Sequence, residues 1–425
     1  MSVAPDHQQR SAVAAYATVT AAYWAFMLTD GALRMLVLLH FNSLGFSPLQ
    51  LAWLFLLYEV AGVVTNLCAG WIAARFGLAA TLHAGLLLQI AALGALACLD
   101  PAWATAASVA FVMAVQGVSG VAKDLAKMSA KSAVKILAPG GDGGALFRWV
   151  ALLTGSKNAF KGFGFLLGAA LLALAGFEAS VIGMAAVLAV IFLVVLFAMP
   201  AGLPRGARKV PFRDVFSRDP DINRLSAARL FLFGARDVWF VVGIPIYFYG
   251  VLSDGTPEGS RHAFFLIGGF MALWIVGYGI VQAAAPRLLR ARGHTLQQSV
   301  HQARRWAGVL TAIPLGLAAA AAAAEGAPGW LTAVLVAGLL AFGVVFALNS
   351  ALHSYLVLAF AQAENVTKDV GFYYMSNAAG RLVGTLLSGL SYQAGGLPLC
   401  LATAGAMAVL SWLCAGRLAR RAAAG

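Results

Sequence analysis

Apolar runs long enough to cross a bilayer, separated by short polar breaks, recur along the whole chain. A helix needs about 20 predominantly apolar residues to span the hydrocarbon core. Twelve such runs are predicted, at about residues 13–41, 48–73, 78–98, 102–137, 144–174, 178–199, 225–252, 262–286, 304–323, 329–361, 369–394 and 397–416. The polar, basic stretch 200–224 divides them six and six. The pattern therefore predicts an all-α membrane protein of twelve transmembrane helices. An amino-terminal six-helix bundle would cover 1–199, a cytoplasmic linker 200–224, and a carboxyl-terminal bundle 225–425. Composition agrees: the chain is 61% hydrophobic and 11% charged, with mean hydropathy +0.84, whereas soluble domains carry about 25% charged residues.

The net charge of +13 raises nucleic acid as a partner, but the basic residues lie between or inside apolar runs, which is a membrane pattern. The linker holds Arg205, Arg208, Lys209, Arg213, Arg218 and Arg224. Loops on the same side add Arg75, Arg287, Arg290, Arg292, Arg304 and Arg305, and the tail adds Arg417, Arg420 and Arg421. The opposite loops carry Asp100, Glu178, Asp254, Glu258 and Glu325, with Arg261 as their only basic residue. The positive-inside rule then puts both termini and the linker in the cytoplasm. The first run is too long and too charged for a signal peptide.

Several chemistries lack support. Cys68, Cys98, Cys400 and Cys414 are scattered through apolar segments, so neither a disulfide framework nor a metal site is expected. There is no phosphate-binding G-x-x-x-x-G-K-[ST], and no H-E-x-x-H or G-x-S-x-G. Gly140–Gly144 reads as a flexible turn. No cofactor is expected and the chain is not expected to be an enzyme. A secondary carrier remains, with an intramembrane enzyme or a transporter-like sensor as the competing classes.

The charges inside the runs carry the functional argument. Asp30 and Arg34 lie near the middle of run one, one helical turn apart, so they can share a face and form an ion pair. Glu59 is near the middle of run two, and either a protonated core residue or a proton carrier. Lys123, Asp124 and Lys127 fall in run four, where Lys131 and Lys135 continue a stripe toward the cytoplasmic end as a snorkelling face. Lys157 and Lys161 are central in run five and would repel unless an anion lay between them. Arg236 and Asp237 sit in run seven and Arg381 in run eleven. Adjacent helical residues point about 100° apart, which argues against a self-contained Arg236–Asp237 pair. Seven basic groups against four acidic ones leave a surplus that pairing cannot absorb, so an anion is expected in the site. Arginine forks and lysine ammonium groups suit phosphate-like oxyanions. Asn66, Tyr278, Gln282, Asn349, Tyr373, Asn377 and His353 could complete the site or bind helices together.

The halves echo each other. Gly31-Ala32-Leu33-Arg34 resembles Gly234-Ala235-Arg236-Asp237, and Gly117-Val118 with Lys123 and Lys127 resembles Gly343-Val344 with Asn349 and His353. Asn158-Ala159-Phe160-Lys161 likewise resembles Asn377-Ala378-Ala379-Gly380-Arg381. Two parallel six-helix halves resemble the plan of major facilitator transporters, whose substrate site lies at the bilayer midplane. The resemblance implies that runs one, four, five, seven, ten and eleven line the cavity. Gly70-Trp71-Ile72-Ala73-Ala74-Arg75-Phe76-Gly77 is similar to that superfamily's loop motif, which makes Gly70, Arg75 and Gly77 candidate gating-loop residues. Ala74 stands where the motif has an aspartate.

A narrower resemblance rests on longer stretches. Tyr23 to Arg34, Gly120 to Ser132, Leu153 to Gly162, Ser226 to Phe240 and Gly277 to Gln282 are similar to the ArsJ-type organoarsenical efflux permeases. The match is thinner beyond about residue 340. It implies export of 1-arseno-3-phosphoglycerate across a bacterial inner membrane by alternating access. It also implies functional pairing with a glyceraldehyde-3-phosphate dehydrogenase and, in consequence, arsenate resistance. The expected partners are this small anion and the lipid bilayer, with a monomer as the working unit. Two oxyanions at opposite ends of a three-carbon unit fit two basic clusters. Clustered thiolates, which suit softer trivalent arsenic, are missing from the sequence. An organophosphate exchanger with no tie to arsenic is the alternative, and a general drug exporter would want a more apolar cavity.

Overall fold

A computed structural model describes residues 4–137, 143–199, 217, 219–289, 295–326, 328–360 and 366–424. Long helices account for nearly all of them. The amino-terminal half comprises α1 (Ala4–Ser43), α2 (Pro48–Leu67, interrupted at Phe55), α3 (Ala69–Leu96, broken at Gly77), α4 (Thr105–Leu137), α5 (Gly143–Ala175) and α6 (Phe177–Ala198). The carboxyl-terminal half comprises α7 (Pro220–Leu252), α8 (Pro257–Leu288), α9 (Leu296–Ala323) and α10 (Gly329–Phe360). It ends in one helical run, Val366–Ala424, which Gly395 and Gly396 split into α11 (366–394) and α12 (397–424). Twelve membrane-crossing helices result, because the last of eleven candidate spans is long enough for two. Most of the basic linker lies outside the described residues.

Burial separates inner from outer helices. The most apolar windows of α1 and α7 are each 78% buried, whereas that of α6 is 22% buried despite the highest hydropathy. Phe197 and Val190 are among its most exposed apolar side chains, which in a bilayer is the lipid face. The inner positions of α1 and α7 follow from glycines that admit a neighbouring backbone. A Cβ at Gly31 would strike the Lys161 carbonyl, and one at Gly168 would strike that of Ala32, so α1 and α5 touch along their backbones. In the other half a Cβ at Gly380 would strike the Leu230 carbonyl, and one at Gly384 would lie 2.8 Å from that of Gly234. Small residues spaced four apart, 164/168 and 380/384, are the usual way membrane helices reach this proximity.

Two local features depart from the predicted runs. The helix α7 begins at Pro220 rather than near 225, because Asp219 accepts hydrogen bonds from the Asp221 and Ile222 amides and Pro220 takes a first-turn position. Farther along, Trp239–Gly243 form a π-turn ahead of Pro245. The Val242 and Gly243 N–H groups within it donate to Ser388 Oγ of α11, each at 3.2 Å. Between α7 and α8, the exposed Asp254 carboxyl is held below its usual range by hydrogen bonds from the Thr256 hydroxyl and amide.

The halves meet at mid-depth and toward the end that carries the α1–α2 loop. Gly389 of α11 packs on Pro48 and Ala52, with the Leu49 amide donating to Gln393 Oε1 at 3.2 Å. Gly268 of α8 packs on Phe165 and Ala169 of α5. Nearer the other end, the approach of Gly371 to Asn66 is looser, 3.9 Å from a Cβ built on the glycine.

Candidate functional site

The glycine contacts place the buried charges, most of which pair across helices, with Asp124–Lys127 and Arg236–Asp237 pairing along one. Asp30 Oδ2 takes Lys161 Nζ of α5 at 2.7 Å, and its Oδ1 accepts the Tyr58 hydroxyl of α2 at 2.6 Å. Arg34 Nη1 donates to Glu59 Oε1 at 3.1 Å. The expected Asp30–Arg34 bridge is therefore replaced by two interhelical ones. The close α1–α5 approach at Gly31 delivers Lys161 to Asp30 first. That pairing gives Lys161 a counter-charge of its own, which eases its repulsion of Lys157. Lys157 is half-buried one turn away on α5.

Glu59 Oε1 has a second cation. Arg381 Nη2 of α11 donates to it at 2.7 Å, across the boundary between the halves. Arg381 Nε lies 3.4 Å from Asp237 Oδ2, and Asp237 Oδ1 takes Arg236 Nε at 2.5 Å. A chain of alternating charge results: Arg34, Glu59, Arg381, Asp237, Arg236. It contradicts the expectation that Arg236 and Asp237 point apart, because the Arg236 side chain is long enough to fold back while packing on Phe233, 4.8 Å from the ring centre. Two atoms in the chain, Glu59 Oε2 and Arg34 Nη2, are buried with no hydrogen-bond partner among the described residues. Leaving a buried polar atom unpaired costs about 1–3 kcal/mol, so this centre is under-satisfied. A small cavity beside Arg34 is lined by Met35, Leu38, Phe165, Phe240, Val241 and Met271.

On the amino-terminal side, Asp124 of α4 is enclosed by Lys127 Nζ at 2.5 Å, Thr65 Oγ1 at 2.5 Å and Asn66 Nδ2 at 3.5 Å. Lys127 also donates to Asn66 Oδ1 at 2.6 Å. Lys123 lies over the Tyr58 ring at 4.0 Å and has no carboxylate at ion-pair distance among the described residues.

A second polar cluster lies in the carboxyl-terminal half. Its centre is Arg229 of α7, 4% exposed, which is not among the candidate site residues of the sequence. Arg229 Nη1 donates to the Ser350 carbonyl (3.1 Å) and hydroxyl (3.0 Å), and Nε donates to Asn377 Oδ1 (3.1 Å). The Ser350 hydroxyl also meets Gln282 Nε2 at 3.3 Å and Tyr278 Oη at 3.5 Å. Tyr278, Gln282 and Asn377 thus come together as expected, around a serine and an arginine that were missed. His353 is fully buried one turn beyond Ser350, with Nδ1 unpartnered among the described residues. Asn349 does not join them. It is buried against α9, where its amide, oriented to satisfy both groups, donates to the Ala303 carbonyl and accepts from the Ala307 amide, each at 3.3 Å. Gly70 and Arg75 lie on a helical segment rather than a loop, and Gly77, at φ 75°, makes the turn into the rest of α3.

A charged cluster between two glycine-packed six-helix halves is the architecture of a transporter. The Major Facilitator Superfamily profile matches residues 15–363. This chain belongs to the major facilitator superfamily. Among solved structures, a mutant of the nucleoside transporter NupG is similar at TM-score 0.67 and 14% identity, over 97% of this chain and 99% of that one. At that identity the likeness speaks for the fold. No curated protein matches the chain. The protein is thus a multi-pass membrane transporter.

Proposed function

We propose that this transporter is a secondary carrier that exports a phosphate-bearing organic anion by alternating access. The observation that carries this is the unequal charge of the site. Asp30, Glu59, Asp124 and Asp237 all have cationic partners, and Lys123 and Arg229 remain with no carboxylate at ion-pair distance among the described residues. A charge at membrane depth disfavours insertion by about 3 kcal/mol. Cations without counter-charge are therefore retained where an anion arrives. A nucleoside, the substrate named for the solved neighbour, is uncharged and would leave the surplus unmatched.

Within that class, the stretches resembling ArsJ-type permeases support 1-arseno-3-phosphoglycerate as the cargo, with an oxyanion at each end. The remaining expectations join the proposal. The arginine-rich loops support cytoplasmic termini in a bacterial inner membrane, the two six-helix halves move against each other, and a glyceraldehyde-3-phosphate dehydrogenase supplies the ester. The proposed anion-binding groups are Arg34, Lys123, Lys127, Lys157, Lys161, Arg236 and Arg381. The test is arsenate resistance in sensitive cells expressing this chain with and without that dehydrogenase. Resistance only with both, abolished by Arg34→Ala or Arg236→Ala, is expected. Full resistance in those variants would defeat the anion site. Organophosphate transport in liposomes without any arsenate resistance would favour the exchanger reading.

A further inference from the structure

The Arg229 cluster is not part of the alternating chain, yet it lies beside it. Both Arg229 and Arg236 stack on the same side chain: their guanidinium carbons are 4.1 Å and 4.8 Å from the Phe233 ring centre. The two cations are therefore no more than about 9 Å apart. Their mutual repulsion is weakened on one side only, because Arg236 has Asp237 and Arg229 has neutral oxygens. The second helix of the arrangement keeps the same spacing, since Asn377 and Arg381 are one turn apart on α11, one holding Arg229 and the other the chain. The cluster also offers three neutral hydrogen-bonding side chains on α8 and α10 (Tyr278, Gln282 and Ser350) and the unpartnered Nδ1 of fully buried His353.

We infer that Arg229, with Ser350, Gln282 and Asn377, forms a second oxyanion subsite that takes the far end of a two-ended substrate while Arg34, Arg236 and Arg381 take the near end. This rests on the proposed function and deepens it. An incoming phosphate-like group displaces the Ser350 and Asn377 oxygens from the guanidinium. These are neutral acceptors, whereas an oxyanion meets the guanidinium with opposite charge and can take two of its N–H groups at once. No carboxylate has to be expelled, so the exchange carries no penalty of an orphaned negative charge. With both guanidinium groups on Phe233, the two subsites lie within about 9 Å of each other, the reach of a short carbon chain. Substrates with one oxyanion fill one subsite, and those with two fill both.

The test compares two stable probes on the purified full-length transporter by equilibrium binding: propyl phosphate, with one phosphate, and propane-1,3-diyl bisphosphate, with one at each end. The wild type is expected to bind the bisphosphate at least tenfold more tightly. In Arg229→Gln that ratio falls to near one while propyl phosphate affinity is unchanged, and Arg229→Lys keeps an intermediate ratio. Gln282→Leu, a milder change in the same cluster, lowers the ratio in the same direction, and decides the matter if Arg229→Gln does not fold. An unchanged ratio in these variants, or equal weakening of both probes, overturns the subsite and leaves the anion carrier standing. A wild type that binds neither probe overturns both.

Discussion

In the amino-terminal half, three cations are matched by carboxylates, Lys161 by Asp30, Lys127 by Asp124 and Arg34 by Glu59, and Lys123 rests on an aromatic ring instead. In the carboxyl-terminal half, Arg229 is held by a serine, an asparagine and two aromatic rings. The difference separates two uses of buried charge. A closed ion pair fixes helices relative to each other and resists a newcomer, because breaking it leaves a charge uncompensated. An arginine on neutral acceptors is solvated well enough to exist empty, and still gains from an arriving anion. The amino-terminal half therefore supplies mostly rigidity and the carboxyl-terminal half mostly affinity, with the Glu59–Arg381 contact joining the two at 2.7 Å.

The largest expected effect comes from removing the one carboxylate that serves two arginines of the carboxyl-terminal half. Asp237→Asn leaves Arg236 and Arg381 repelling each other over the same region, and transport in liposomes should fall at least a hundredfold. A rate within threefold of wild type would mean that the alternating chain is not part of the transport cycle.

Stability should distinguish the halves next. Asp124→Asn strands Lys127 beside Lys123 and is expected to destabilise the protein by about 3 kcal/mol, as for other broken buried pairs. The double variant Asp124→Asn/Lys127→Gln should recover most of that in thermal unfolding. Arg229→Gln strands no carboxylate and should cost about 1.5 kcal/mol, the low end for hydrogen bonds to a charged group. Equal losses at the two sites would erase the contrast drawn between them.

Glu59→Gln probes the junction. Its carboxylate occupies Arg34 and Arg381 much as a substrate oxyanion would. Neutralising it should tighten phosphate-ester binding about tenfold, which is about 1.4 kcal/mol, while transport slows because the halves lose their bridge in the empty carrier. Weaker binding in this variant would instead make Glu59 an orienting partner of the arginines.

The sequence made the helices and the polar inventory legible, but not the pairing. Hydropathy finds membrane spans because every backbone group in lipid must be satisfied within its own helix. Spacing shows which charges share a helical face, as it did for Asp30 and Arg34, and is silent on which helix that face meets. The glycines at 31, 164 and 168 set that meeting, and it gave Asp30 to Lys161. Arg229 was missed for a related reason. Starting α7 at 225 put it only about one turn from the helix end, whereas the true start at Pro220 moves it about 7.5 Å farther in. The Asp219-Pro220 cap signature would have shown this. Asn349 looked like a site residue because nothing in the sequence says which side of α10 faces α9.

The halves differ once more in backbone, and here the smallest effect is expected. In α1 the α-helix runs unbroken from Ala4 to Ser43, whereas its counterpart α7 carries the π-turn Trp239–Gly243 just beyond Arg236 and Asp237. The extra residue re-aims the helix past the charged pair. One atom, Ser388 Oγ, accepts from both the Val242 and Gly243 amides within it. Ser388→Ala should lower stability by about 1 kcal/mol and speed hydrogen exchange at these two amides, while Ser388→Thr keeps the acceptor. Substrate affinity should shift less than threefold, because Arg236 is anchored by Asp237 and by Phe233 rather than by the turn. A larger shift confined to Ser388→Ala would mean that the π-turn, and not the ion pair, aims the arginine into the site.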